Sequence, residues 1–266
     1  MSHFTVLVIG DKVEEQLAPY DENIVVDEYE KEIVSDEEKN KILEYYTNNK
    51  NFVGTFDECY AQYGEEWDGN SLKKDENGVW KHYSCYNPKS KWDWYQVGGR
   101  WSGYFKLKNR NAKTDVVLKK DIDFDGMLED GRKDAAENYD KIMSIVGHLP
   151  EIENWESVRT RFDDIQKARE FYNSQERVKA LQENNIYFVD LEDYKYSRDE
   201  FIKRNEASQF TPYAVVLNGE WYEKGQMGWF GMSSNDMDNS DWESKVKELI
   251  DSVDDDTVFT LVDAHI

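Results

Sequence analysis

Cysteine, proline and long apolar runs are all scarce in this chain of 266 residues. It has two cysteines, Cys59 and Cys85, and four prolines. The first ten residues carry no secretory signal, so nothing indicates an oxidising compartment and we expect both thiols to be free. No apolar run approaches the roughly 20 residues of a membrane-spanning helix. We therefore expect a soluble, cytoplasmic protein that does not associate with membranes.

Basic residues are far fewer than acidic ones. The chain has 33 lysines and arginines against 56 aspartates and glutamates, which gives a net charge of −23. Such a charge repels nucleic-acid backbones and anionic membranes, so direct binding to nucleic acid is not expected. Three interpretations of the acidity stay open: a solvated surface, a surface for a basic protein partner, or an imitation of nucleic-acid phosphates that blocks a DNA-binding enzyme.

Aromatic residues, in contrast, are abundant. They make up 14% of the chain and include nine tryptophans. This composition argues against intrinsic disorder in spite of the charge. The length allows a substantial core, in one large domain or two small ones.

Near-continuous apolar runs occur at both ends of the chain. Residues 3–10 read His-Phe-Thr-Val-Leu-Val-Ile-Gly, and residues 257–266 repeat the pattern. This is typical of strands that are buried on both faces. A further pair of strands flanks Asn218-Gly219, a dipeptide that strongly indicates a hairpin turn. The patterns predict one sheet built from both ends of the sequence.

Capping boxes predict where several helices begin. In this motif a serine or threonine hydroxyl accepts a hydrogen bond from the amide three residues on, and a glutamate at that position accepts one in return. The motif occurs at Ser35/Glu38, Thr55/Glu58, Ser197/Glu200 and Ser240/Glu243. It predicts helices over 36–46, 56–63, 198–204 and 241–252.

Helical periodicity dominates residues 126–205, where strand signals are few. We predict an α+β fold in which residues 1–125 and 206–266 form a domain with a mixed or antiparallel sheet, a ferredoxin-like arrangement being one candidate. Both chain ends and a central tryptophan hairpin contribute to the sheet. Residues 126–205 form a helical insertion or arm. Its apolar surface packs on the sheet or forms an oligomer interface, and a homo-oligomer is expected.

The central hairpin is predicted over residues 91–105, with Gly98-Gly99 as a two-residue turn. Its register separates two faces. One face carries Trp92, Trp94, Trp101 and Phe105, and the other carries Asp93, Tyr95, Arg100, Ser102 and Tyr104. Either the aromatic face is sheet core and the polar face is solvated, or Arg100 with Tyr95 and Tyr104 lines a pocket for a planar or anionic ligand.

A second glycine-rich segment runs from Gly225 to Gly231 around Trp229-Phe230. It is interpreted as the rim of a binding site or as a packed turn at a sheet edge. Its spacing is not the dinucleotide fingerprint and no phosphate-loop motif occurs, so no cofactor is predicted. The predicted ligand-binding residues are Trp94, Tyr95, Arg100, Trp101, Tyr104 and Trp229.

Two groups of acidic and histidine residues raise the question of a metal. Asp121, Asp123 and Asp125 imitate the opening of a calcium loop, but the twelfth position is Arg132 where the loop needs a bidentate glutamate. Asp263 and His265 share one face of the last strand. If that strand pairs antiparallel with the first, His3 approaches His265. The sequence does not decide whether either group binds a metal, and no metal ligand or catalytic residue is assigned.

Three blocks of the sequence carry a family resemblance: residues 2–10 with 14–20, residues 87–95 with 98–101, and residues 227–232 with 262–266. They include the opening His-Phe-Thr-Val-Leu-Val-Ile-Gly, the segment Trp-Asp-Trp-Tyr followed by Gly-Gly-Arg-Trp, and the ending Val-Asp-Ala-His-Ile. Together these blocks resemble a family of tailed-bacteriophage proteins of unknown function. The resemblance implies a cytoplasmic, non-structural protein that is made during infection and counters host immunity.

Three hypotheses follow from the residues and this resemblance. The preferred one is a binding protein, a sponge, that sequesters a nucleotide-like immune signal in the aromatic and arginine pocket. The second is an acidic inhibitor that binds a host defence complex or mimics nucleic acid. The third is a metal-dependent hydrolase that uses Asp263, His265 and other carboxylates. The partners expected are thus a nucleotide-like small molecule or a host defence protein.

Overall fold

The computed structural model describes residues 2–68, 71–109, 114–187, 189–228 and 231–266. The strands are β1 (His3–Ile9), β2 (Val25–Ile33), β3 (Leu72–Lys74), β4 (Trp80–Tyr86), β5 (Trp94–Val97), β6 (Val116–Leu118), β7 (Ala214–Leu217), β8 (Glu220–Glu223), β9 (Gln226–Met227), β10 (Ser233–Ser234) and β11 (Val258–His265). The α-helices are α1 (Val13–Leu17), α2 (Asp36–Lys50), α3 (Phe56–Asp68), α4 (Phe124–Val146), α5 (Trp155–Arg161), α6 (Ile165–Ser174), α7 (Glu176–Glu183), α8 (Arg198–Asn205) and α9 (Asn239–Asp251). The predicted α+β class with a mixed sheet is confirmed.

The chain forms two compact units. One contains residues 1–17 and 94–266, and the other contains residues 18–93. These boundaries do not coincide with those predicted at 125 and 205. Helices α4 to α8 belong to the first unit, where side chains from residues 135–201 form a hydrophobic cluster of their own around Ile142, Leu181 and Phe201. The separate helical insertion stays a prediction.

The main sheet lies in the first unit and has the strand order β5-β11-β1-β7-β8, with β6 also paired to β11. Strands β1 and β11 pair antiparallel from His3↔His265 to Ile9↔Phe259, so both chain ends lie at the centre of the sheet, as predicted. Strand β1 pairs in parallel with β7. In the ferredoxin-like, split βαβ arrangement another strand separates the two parallel ones, so the ferredoxin-like alternative is not the arrangement found.

The predicted tryptophan hairpin is wrong. Strand β5 pairs with β11, with Trp94 opposite His265, and residues Gly99–Trp101 form a 3₁₀ turn where the return strand was expected. Both glycines do have positive φ, 69° at Gly98 and 51° at Gly99. The backbone N–H of Gly98 donates to Leu261 O at 2.8 Å. The glycine pair therefore ends β5 and leads the chain into the 3₁₀ turn, while β5 itself stays paired with β11.

The core of the first unit packs one face of the sheet against α9. Leu7, Ile9 and Leu261 lie on the sheet side of this cluster, and Trp242 and Val246 lie on the helix side. Trp242 is buried, and its indole N–H donates to Pro212 O at 2.8 Å. This packing fixes the start of α9 relative to the end of the segment that leads into β7. The same positions form one wall of the cleft described below.

The second unit contains the sheet β2-β4-β3 together with α2 and α3. Its cluster of buried residues is centred on Ile42, Tyr46, Phe56 and Tyr60. The hydroxyl oxygen of Tyr60 accepts a hydrogen bond from the backbone N–H of Leu72 at 2.8 Å. Helix pair and sheet therefore share one core. Among the described residues, no helix is both long and apolar enough to cross a bilayer.

Three of the four predicted capping boxes lie at observed helix starts. Ser197 forms the complete box with Glu200 at α8, and Thr55 exchanges hydrogen bonds with Glu58 at α3. Ser35 caps α2 by accepting from the backbone N–H of Glu38 at 3.1 Å. The fourth prediction is wrong, because the N-cap of α9 is Asp238, and Ser240 lies inside the helix.

Candidate functional site

The five predicted ligand-binding residues that the structure describes do not converge on one pocket. Trp94 and Tyr95 are neighbours on β5, so they point to opposite faces of the sheet. Trp94 is 43% exposed and stacks on His265, with ring centroids 5.2 Å apart and planes 19° apart. Tyr95 is half-buried, and burial together with Glu14 raises its pKa.

The residues that follow the glycine pair have separate positions. The side chain of Arg100 is exposed, whereas Trp101 and Tyr104 pack against the hydrophobic core. The hydroxyl of Tyr104 is buried, has no hydrogen-bond partner in the described part of the chain, and has a pKa raised by burial. Tyr104 therefore faces the core and not a surface pocket. Trp229 lies outside the described residues.

A buried carboxylate, Asp263, organises the polar end of the sheet. It is 1% exposed, and its two oxygens accept hydrogen bonds from different segments. His3 Nδ1 lies 2.8 Å from Oδ1, and the backbone N–H of Arg100 lies 3.0 Å from Oδ2. The rings of His3 and His265 lie 4.9 Å apart between centroids, as the antiparallel pairing predicted. A Cβ at Gly99 would lie 2.5 Å from the Cβ of Asp263, so the turn needs glycine there.

This cluster and the aspartate run give no support to a metal site. Within the described ranges, no three or more histidine, cysteine, aspartate or glutamate residues are placed to hold a metal ion. Asp123 is the N-cap of α4 and accepts from the backbone N–H of Gly126 at 3.0 Å. Asp121 ends a 3₁₀ turn. The carboxylate of Asp123 thus serves a helix start, and the hydrolase hypothesis has no described ligand set.

A cleft that the sequence did not indicate lies between the end of α8, the residue after β8 and the start of α9. It has a volume of about 330 Å³ and is lined by Arg204, Lys224 and Glu243 together with the aromatic residues Tyr213 and Trp242. The backbone of Lys224 is held on both sides, since its N–H donates to Tyr213 O at 3.0 Å and its carbonyl accepts from Met237 N at 2.7 Å. The cleft is therefore built from anchored elements.

The charged side chains of this cleft form no ion pair with the other residues that the structure describes. Lys224 and Glu243 are half-buried and Arg204 is exposed. No ion pair or side-chain hydrogen bond joins any of the three to another described residue, although Arg204 lies over the ring of Tyr196 at 4.3 Å. Burial raises the pKa of Glu243, with Glu206 and Asp238 adding to the effect and Lys224 opposing it. Half-buried charges without an ion pair are costly, so Lys224 and Glu243 suit a ligand that pairs with them.

A second cavity adjoins the first and shares Arg204 and Lys224 with it. It has a volume of about 310 Å³ and carries several carboxylates. Burial raises the pKa of one of them, Asp193, and Asp190 adds to this shift. Arg204 and Lys224 thus line both cavities. The first cavity is the aromatic lobe of the cleft, and the second is its acidic lobe. Since like charges repel, a highly charged anion is disfavoured on the acidic side.

Sequence reasoning missed this cleft because its residues come from three distant segments. Arg204 lies near the end of the helix predicted from Ser197, and Lys224 follows the predicted Asn218-Gly219 hairpin. Glu243 was assigned to a capping box. Each element was predicted, but no periodicity relates residue 204 to residue 224 or 243. Only their packing around Trp242 brings them together.

The fold and the cleft define an α+β protein with a ligand-sized concavity between helix ends and a central mixed sheet. Comparisons with protein-family models, with curated proteins and with solved structures found no match.

Proposed function

We propose that this protein binds and sequesters a small phosphate-bearing, nucleotide-like molecule in the cleft lined by Arg204 and Lys224. One observation carries the proposal: both cations line the same cavity, and neither forms an ion pair with a carboxylate among the described residues. A guanidinium fork and an ammonium group are the usual protein ligands of phosphate oxygens. The volume also falls within the range of small-molecule sites.

The other lining residues support a ligand with an aromatic ring. The half-buried Tyr213 and the core residue Trp242 line the cavity, and so do Ser208 and Thr211, which carry hydroxyl groups. A few polar groups on a partly aromatic wall are typical of sites that orient a planar molecule. The same combination suits a nucleoside beside its phosphate. The ligand chemistry of the preferred hypothesis is therefore proposed for a different part of the chain from the residues predicted from the sequence.

The charge of the cleft favours a phosphate of low charge. Two cations face one carboxylate in the aromatic lobe, and the adjoining lobe carries Asp190, Asp193, Asp236 and Asp238. A triphosphate would bring several negative charges next to these carboxylates, which costs free energy. A nucleoside monophosphate or a phosphodiester brings one or two. We therefore propose a ligand of the monophosphate or phosphodiester class.

The biological role that we propose is counter-defence during phage infection. It is supported by the resemblance of the chain to tailed-bacteriophage proteins and by nothing in the fold. A sponge acts by removing a signal from solution, so it needs affinity and no reaction. The cytoplasmic location and the homo-oligomer stay predictions.

Isothermal titration calorimetry with mononucleotides and cyclic nucleotides tests the proposal. We expect saturable binding that weakens at least tenfold in the double variant Arg204→Ala/Lys224→Ala, because the charge-assisted hydrogen bonds to phosphate are lost. Lys203→Ala is the matched control, since Lys203 is an exposed cation next to Arg204. It should bind like the wild type.

Two results would contradict this proposal. The absence of binding by any nucleotide would exclude a nucleotide sponge. Binding that is lost in Arg100→Ala but unchanged in the double variant would place the ligand at the exposed Arg100 and Trp94, the site predicted from the sequence.

The acidic-inhibitor hypothesis has one specific observation in its favour. Strand β2 lies at the edge of its sheet, and Asp27 and Glu32 on it are exposed. An edge strand with acidic side chains can accept a basic segment of a partner protein. Capture of a host protein that is abolished by added salt and by Asp27→Lys/Glu32→Lys would support it. Capture that is indifferent to both would contradict it.

A further inference from the structure

The carboxylate of Glu243 is the one feature of the cleft that phosphate binding leaves unexplained. Glu243 lies in the first half of α9 and lines the cavity beside Trp242 and Lys224. It forms no ion pair or side-chain hydrogen bond with another described residue. A negative group in a phosphate site opposes the ligand's charge. Its presence there calls for a second part of the ligand that it can bind.

The local structure leaves Glu243 without a structural task. The sequence pairs it with Ser240 in a capping box, but Asp238 is the cap and accepts from both the backbone N–H and the hydroxyl of Ser240, at 2.9 Å and 2.7 Å. Glu243 is consequently one turn too far into the helix to reach an unpaired amide. Its carboxylate has two oxygens with four acceptor sites in all, and the residue lines the cavity.

We propose that Glu243 accepts hydrogen bonds from two adjacent N–H groups of the ligand, so that the cleft takes a guanine nucleotide. This inference rests on the proposed function. A carboxylate has two parallel acceptors and binds a pair of parallel donors best. Guanine presents N1–H and the 2-amino group side by side. Adenine and cytosine offer one donor beside an acceptor, and uracil offers a single N–H between two acceptors.

The arrangement of charges is consistent with one set of residues for the phosphate and another for the base. Arg204 and Lys224 bind the phosphate, and Glu243, which is not ion-paired to either, binds the base edge. Tyr213 and Trp242 line the same cavity. The two N–H donors of guanine thereby replace the hydrogen bonds to water that the Glu243 carboxylate loses when it is buried.

Binding of guanine should stabilise the ionised form of the Glu243 carboxylate. Its pKa in the free protein is raised by burial and by the carboxylates of Glu206 and Asp238, and is lowered by Lys224. Arg204 lies on the same cavity. Hydrogen bonds to an ionised carboxylate lower its pKa. Guanine binding should therefore release a proton near the pKa of free Glu243 and weaken as the pH falls through it.

Titrations of GMP, IMP, AMP and UMP into the full-length protein test the inference. IMP differs from GMP only by the missing 2-amino group, so we expect GMP to bind about tenfold more tightly than IMP, for the loss of one charge-assisted hydrogen bond. AMP and UMP should bind more weakly than GMP as well. This comparison uses the wild-type protein and does not depend on how any variant folds.

The variant Glu243→Gln tests the residue. It should reduce the preference for GMP over IMP to about twofold or less and should not weaken the binding of UMP, because it removes a negative charge near the phosphate and no phosphate contact. The matched control Glu248→Gln removes an exposed carboxylate of the same helix that pairs with Lys245 at 3.1 Å. It should keep the preference.

The outcomes separate this inference from the proposed function. Equal binding of GMP and IMP that still depends on Arg204 and Lys224 overturns the role of Glu243 and leaves the phosphate site in place. A GMP preference that survives Glu243→Gln also overturns it. Absence of binding by all four nucleotides, and by cyclic nucleotides, overturns both.

Discussion

His3 Nδ1 lies 2.8 Å from the Oδ1 atom of Asp263, across a strand pair that joins the two ends of the chain. The second oxygen of Asp263 receives the N–H of Arg100. One carboxylate thus holds the first strand, the last strand and the turn after β5. Because it is 1% exposed, each of these contacts is shielded from water and is stronger than a surface contact.

Replacing Asp263 should therefore destabilise the first unit. Asp263→Asn presents an amide donor to either His3 or the Arg100 N–H, so we expect the free energy of unfolding to fall by about 3 kcal/mol. Urea denaturation followed by circular dichroism measures this change. Asp256→Asn is the control, because Asp256 is exposed and pairs with Lys120 at the surface; a similar loss in both variants would contradict the prediction.

Gly99 and Gly103 provide a matched test of the turn. Both have positive φ, 51° and 83°, but a Cβ at Gly99 would meet Asp263 at 2.5 Å, whereas nothing lies within 4 Å of one at Gly103. Gly103→Ala should cost about 1 kcal/mol for backbone strain alone. Gly99→Ala should cost at least about 1 kcal/mol more, because the turn must also move away from Asp263. Equal midpoints of unfolding would contradict the observed contact.

The two tyrosines Tyr104 and Tyr213 should respond differently to loss of the hydroxyl group. The Tyr104 hydroxyl is buried with no described partner, so Tyr104→Phe should leave stability unchanged or raise it slightly. The Tyr213 hydroxyl donates to Gly225 O at 2.7 Å, and Tyr213→Phe should cost about 1 kcal/mol. Thermal unfolding compares the pair. A loss of nucleotide affinity in Tyr104→Phe would instead favour the pocket predicted from the sequence.

The pH dependence of Glu243 has a definite sign. Its pKa is raised in the folded protein, so the unfolded chain releases this proton at lower pH, and the ionised group destabilises the fold. Relative to wild type, Glu243→Gln should gain stability as the pH rises from about 4 through the folded-state pKa, and the gain should then level off. Below that window the difference should vanish. Unfolding free energies at several pH values measure it; a gain confined to acidic pH would have the wrong sign.

Local sequence signals were sufficient for many individual elements. The apolar runs at residues 3–10 and 257–266 became β1 and β11, and Asn218-Gly219 became the turn between β7 and β8. Ser197 and Glu200 form the predicted capping box. These features depend on residues close together in the chain, where hydrogen-bonding geometry and side-chain alternation leave few choices.

The failures have a common cause in long-range competition. Gly98-Gly99 has the positive φ angles of a tight turn, yet β5 pairs with β11 because Leu261 and Asp263 offer the turn its hydrogen-bonding partners. Ser240 and Glu243 have the correct spacing for a capping box, yet Asp238 is the residue that caps α9. In both cases the hydrogen bonds are formed with residues other than those that the local pattern indicates. Rules based on neighbouring residues do not reveal such partners.

The amino-acid order was thus enough to establish the α+β class, the central strands at both chain ends and the starts of α2, α3 and α8, because these follow from apolar periodicity and capping chemistry within a few residues. The meeting of Arg204, Lys224 and Glu243 around one cavity, and the burial of Tyr104 away from any pocket, came from packing. Contacts between segments far apart in sequence depend on how strands pair and how helices cover the sheet, and no local pattern contains that information.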